Sequence, residues 1–109
     1  MAVTTYKILG QSAPSATTNT TVYTVGSGKS AVVSTIAVCN RSSTSASYRI
    51  AVSATGTPGN AEYIAYDAVV AGNDTAFITV GVTIEATKNI VVYTSAATIS
   101  FSIFGSEIS

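Results

Sequence analysis

The chain has 109 residues, 47% of them hydrophobic, which is enough to fill one modest core and leaves nothing for a second domain. Only 9% of the residues are charged, five basic against five acidic, and there is one cysteine and no histidine. These counts exclude an internal disulfide, and they argue against a nucleic-acid interface: Lys7, Lys29, Arg41, Arg49 and Lys88 are too scattered to neutralise a run of phosphates.

The N-terminus, Met1-Ala-Val-Thr-Thr-Tyr-Lys, has no basic region followed by an apolar core, and no run approaches the roughly 18 apolar residues of a membrane span. The expectation is a chain made in a cytoplasm, with no signal peptide and no membrane partner. A first strand is expected over Thr4–Leu9. The following GQSAPSATTN (Gly10–Asn19) is small, polar and without periodicity, and reads as an extended linker. Residues 1–19 are therefore expected to form an N-terminal strand and arm, free to pair with another subunit, ahead of a domain over 20–109.

That domain reads as strand and turn throughout. Strands are predicted at Thr20–Val25, Ala31–Asn40, Ser47–Ser53, Glu62–Val70, Thr75–Val80, Asn89–Thr94 and Thr98–Phe104, divided by Gly, Asn, Asp, Ser and Pro. The fold class is all-β: a single antiparallel sandwich, jelly-roll or Ig-like, of about eight short strands. Alternation turns Tyr48, Ile50 and Val52 to one side of the fourth strand, and Ile99, Phe101 and Ile103 to one side of the last. Three strands are apolar on both sides. In the third, Val32, Ile36 and Val38 oppose Val33, Ala37 and Cys39; Phe77 backs Ile78 in the sixth; Val91 and Tyr93 back Ile90 and Val92 in the seventh. A sandwich needs one apolar face per strand, so Val33, Ala37, Cys39, Phe77, Val91 and Tyr93 are the candidate subunit interface. Cover by the chain's own loops is the competing explanation.

Between the second and third strands, GSGKS (Gly26–Ser30) resembles the end of a phosphate-binding loop. Such a loop needs a glycine five residues before Gly28 and a helix after the serine; Tyr23 stands at the first place and the β-branched AVVSTIAV follows. A glycine-bearing hairpin turn is the simpler reading. Catalysis finds no histidine and no paired carboxylates, so the chain is expected not to be an enzyme. Asp67, the one carboxylate expected within a strand, is better placed to pair with Arg49 on a neighbouring strand than to act as an acid or base. One Cys, no His and no dense Asp/Asn run offer no metal site, and no cofactor is implied. The six tyrosines fall within predicted strands, with Tyr63 or Tyr66 able to reach an outer surface.

The segments VYTVGSGKSAVVSTIAVCNRSSTSASYRIAV and YIAYDAVVAGNDTAFITVGVTIEATKNIVVYTSAATISFSIFGSEI resemble the small β-sandwich virion proteins encoded by tailed bacteriophages. The resemblance covers nearly the whole chain and carries no catalytic motif. Where such proteins usually have Pro, this chain has Gly26. The resemblance implies a structural virion protein, a capsid decoration or cement protein, or alternatively a neck, tail, baseplate or fibre-attachment component. Its partners would be copies of itself, as trimers or larger symmetric sets, and other virion proteins such as the major capsid protein. A receptor- or glycan-binding head is a further alternative, disfavoured because the loops Arg41–Ala46 and Ala54–Asn60 hold small residues rather than aromatics.

Overall fold

A computed structural model describes residues 3–109. It contains eight strands: β1 (Thr4–Ser12), β2 (Thr20–Thr24), β3 (Ser30–Asn40), β4 (Ala46–Ser53), β5 (Tyr63–Val70), β6 (Thr75–Ile84), β7 (Asn89–Thr94) and β8 (Ile99–Ile108), with one short 3₁₀ turn at Asn60–Glu62. Two four-stranded sheets have the orders β1-β8-β3-β6 and β2-β7-β4-β5.

The strand orders have a simple origin. β1 pairs with β8, β2 with β7, β3 with β6 and β4 with β5, all antiparallel. The chain thus behaves as one long hairpin folded at the β4–β5 connection, then rolled so that β8 also meets β3 and β7 also meets β4. This winding gives a jelly roll, which decides between the two sandwich types the sequence allows. Apart from β4–β5, each pairing joins strands far apart in sequence, so most of the sheet must close large loops before it gains anything.

The core lies between the sheets. Ile36, Val38, Phe101 and Ile103 from one sheet meet Tyr48, Ile50, Ile90 and Val92 from the other, and Tyr48 meets Phe101 edge-to-face with ring centroids 6.2 Å apart. At one end of the sandwich, buried Asn40 (1% exposed) ties the loops together. Its Nδ2 donates to the carbonyls of Thr44 (2.8 Å) and Val70 (3.4 Å), and its Oδ1 accepts from Ser42 N and Thr98 Oγ1, both at 3.1 Å. Every polar atom of a buried carboxamide is thereby matched, which is what makes its burial tolerable.

The N-terminal segment differs from the expectation of a free arm. β1 runs to Ser12 and pairs with β8 of the same chain, with a bulge between Ile8 and Gly10 that sends Leu9 into the core. Ala13–Asn19 is the crossing from one sheet to the other, with Pro14 buried and the Thr17 amide donating to Thr94 O at 2.8 Å. Polar composition makes it read as a linker; a backbone hydrogen bond to β7 and a buried proline make it part of the domain. Met1 and Ala2 lie outside the described residues.

The GSGKS stretch is a turn but not a hairpin turn. Lys29 N donates to Gly26 O (3.1 Å) and Gly28 takes φ +75, yet β2 and β3 belong to different sheets. No helix follows. At the opposite end, the Ala71–Asp74 turn passes so close to the Arg41–Ala46 loop that a Cβ on Gly72 would overlap the Ser43 carbonyl.

Candidate functional site

The six residues expected at one interface are distributed over three places. Val33 is 1% exposed and sits in the core. The cause is a bulge at Ser34, where the register slips between Val33 and Thr35 against both β6 and β8. The Ser34 hydroxyl donates to the Phe104 carbonyl (3.1 Å) there. Simple alternation gives Val33 the opposite side from Ile36; the extra residue puts both inside, leaving Val32, Ala37 and Cys39 outside.

Ala37, Cys39 and Phe77 come together on the outer face of β1-β8-β3-β6. Cross-strand rows describe that face: Ser100–Cys39–Thr75, then Gln11–Ser102–Ala37–Phe77, then Ile8–Phe104–Thr35–Thr79, then Tyr6–Ser106–Val32–Thr83. None of the four rows contains a Lys, Arg, Asp or Glu. Phe77 is 71% exposed and Tyr6 84%, and Ile8 and Phe104 are also exposed. A protein surface ordinarily interleaves charges of both signs every few residues, and these four strands present hydroxyls, methyls and rings instead. The sequence reading found Phe77 and the half-buried Ala37 and Cys39. It missed Tyr6, Ile8 and Phe104, because their exposure follows from the β1–β8 pairing, which joins the two ends of the chain.

Val91 and Tyr93 lie on the other sheet. Val91 is 2% exposed but belongs outside the core cluster, beside Ala51 and Thr21 in the cross-strand register. Gly56 of the Ala54–Gly59 loop comes close to the Thr21 hydroxyl at the β2 edge of this row. The chain itself therefore buries Val91, which leaves it no surface to offer a subunit contact. That loop is drawn in by Glu62, whose carboxylate accepts from Gly59 N (2.7 Å), Ser53 Oγ (3.0 Å) and Ala54 N (3.3 Å). The Gly59 and Ser53 hydrogen bonds hold its pKa below the ordinary carboxylate range.

Tyr93 belongs to a cluster on the same outer face. Arg49 of β4 donates from Nε to Asp67 Oδ1 (2.7 Å) and from Nη2 to Asp67 Oδ2 (3.3 Å). Its guanidinium lies 4.1 Å from the Tyr66 ring centroid and 4.3 Å from that of Tyr93. Tyr63 meets Tyr66 edge-on at 4.9 Å. The Arg49–Asp67 pair is the one anticipated from sequence, and its hydrogen bonds lower the Asp67 pKa and raise that of Arg49. The tyrosines around it were not anticipated, because a bulge creates the arrangement. Tyr48 faces Ala68 and Ile50 faces Ala65, so Arg49 alone opposes both Tyr66 and Asp67, and Asp67 adopts φ +52.

Two further groupings lie outside these faces. Glu107 accepts from the Tyr23 hydroxyl (2.6 Å) and pairs with Lys7 and Lys29, each at 3.5 Å. Burial, then the Glu107 hydrogen bond, pushes the Tyr23 pKa up, while the same hydrogen bond lowers that of Glu107. Lys29, the lysine of the GSGKS turn, is thus exposed but ion-paired. An open cleft of about 420 Å³ lies between the sheets, lined by Val52, Glu62, Thr83, Ile84, Glu85 and Lys88. Glu62 is already committed to its loop. Among the described residues no group of three or more His, Cys, Asp or Glu is placed to hold a metal ion. No protein-family model matches the chain, and neither a curated protein nor a solved structure matches it.

Proposed function

We propose that the protein is a non-enzymatic structural component of a tailed-phage virion, a decoration protein that seats the outer face of β1-β8-β3-β6 on a neighbouring protein surface. The observation that carries this reading is that uncharged face, with Tyr6, Ile8, Phe77 and Phe104 exposed on it. Apolar burial contributes roughly 25 cal/mol per Å², offset by the cost of association, so a single contact of this kind is modest and gains from symmetric repetition. The partner is a second copy of the chain or another virion protein. The resemblance to phage β-sandwich proteins supplies the particle; the jelly-roll architecture, which also serves viral capsid domains, is compatible with it by analogy alone.

The test is quantitative mass spectrometry of gradient-purified particles of the encoding phage. Hundreds of copies per particle are expected of a decoration protein. A few copies would move the protein to the neck, tail or baseplate. Absence from the particle, together with a purified chain that stays monomeric at high concentration, would overturn the reading.

A further inference from the structure

Across β7, β4 and β5, Tyr93, Arg49, Tyr66 and Tyr63 follow one another as a continuous row on the outer face of the second sheet, the guanidinium against two rings and Tyr63 edge-on to Tyr66. An ordinary cross-strand ion pair needs only one residue on each strand. Here the β5 bulge turns two successive residues, Tyr66 and Asp67, to the same face, and it holds Asp67 in a left-handed conformation to do so. The fixed groups nevertheless remain open to solvent: Tyr66 is 58% exposed and the Asp67 side chain 49%.

The chemistry of the row restricts what it can receive. Charges cancel between Arg49 and Asp67, so neither an anion nor a cation gains without breaking their two hydrogen bonds. Each Asp67 oxygen retains a lone pair, and Arg49 retains N–H groups that Asp67 does not use. An aromatic ring has a negative face that attracts weakly polarised C–H groups. A ligand that offers a flat array of C–H bonds on one side and hydroxyls at its rim matches a ring flanked by a fixed acceptor and a fixed donor. That description is a pyranose. The hydroxyl-bearing Ala54–Gly59 loop approaches the neighbouring row at Thr21.

We propose that this face binds a neutral carbohydrate, with a pyranose stacked on the side of the exposed Tyr66 ring that Arg49 leaves open and its hydroxyls shared between Asp67 and Arg49. The inference does not depend on where the opposite sheet is seated.

The experiment is an amide-resolved NMR titration of the full chain with neutral hexasaccharides of glucose, galactose, mannose and N-acetylglucosamine at millimolar concentration. At least one sugar is expected to shift amides of β4, β5 and β7 around Arg49, Tyr66, Asp67 and Tyr93 and to leave those around Phe77 and Phe104 unmoved. Tyr66→Ala and Asp67→Asn are each expected to weaken the response at least tenfold, whereas Tyr66→Phe, which keeps the ring, retains it. Dispersed spectra for all three variants establish that they fold. No response to any of the four sugars, or a response that survives Tyr66→Ala, overturns the proposal, as does a row that binds only a protein partner.

Discussion

The outer faces of the two sheets are made by the same alternation of side chains and have opposite characters. On β1-β8-β3-β6 the four cross-strand rows hold no charge, and their exposed rings, Tyr6, Phe77 and Phe104, stand apart from one another. On β2-β7-β4-β5 one row is buried at Val91 and Ala51, and the next has its rings arranged around an Arg–Asp pair. The first face leaves Tyr6, Ile8, Phe77 and Phe104 exposed to solvent. The second pairs its charges internally, and the ring and polar atoms it leaves exposed are fixed in geometry. A broad uncharged surface favours a large, flat protein contact, whereas a preorganised row favours a small ligand.

A charge placed on the uncharged face is expected to have the largest effect. Phe77→Lys is expected to reduce association with the particle, or self-association, by at least a hundredfold in light-scattering or binding measurements, because the covered lysine would lack a counter-charge. Val69→Lys, equally exposed on the other sheet, is expected to leave association unchanged. Equal loss from both changes would show that the two faces do not differ in the way argued.

Neighbouring positions on β3 come next. Val33→Ala opens a cavity in the core and is expected to cost about 2 kcal/mol in denaturant unfolding, while Cys39→Ser, on the outer face, stays within about 0.5 kcal/mol. A smaller effect is expected from pH. Asp67, Glu62 and Glu107 have folded-state pKa values below their unfolded ones, so the stability they contribute is present above the ordinary carboxylate range of about 4 and is lost as pH falls through the depressed values. Amide exchange should therefore accelerate first in the Ala54–Gly59 loop and around Asp67. Association through the uncharged face should hold constant from about pH 7 to about pH 5, since its cross-strand rows contain no His, Asp or Glu.

Much of this was legible residue by residue. β2, β3, β4 and β7 fall within one residue of their expected ends, because short runs of β-branched and aromatic residues bounded by turn formers leave little freedom. β6 and β8 run four residues further than expected, through Gly81 and Gly105, which local propensity reads as stops. Asp67 was matched to Arg49 from strand position alone. The tyrosines beside that pair were not, since alternation sends Tyr66 and Asp67 to opposite sides unless a bulge intervenes.

By itself, then, the sequence determined an all-β sandwich, its strand positions, the inward faces of β4 and β8 and the poverty of charge, all properties of residues a few positions apart. Tertiary structure alone decided the jelly-roll winding, the burial of Val33 and Val91, the integration of β1 and the outer rows. The physical reason is that a bulge shifts every later side chain by one face, and that pairing β1 with β8 depends on the whole chain closing between them.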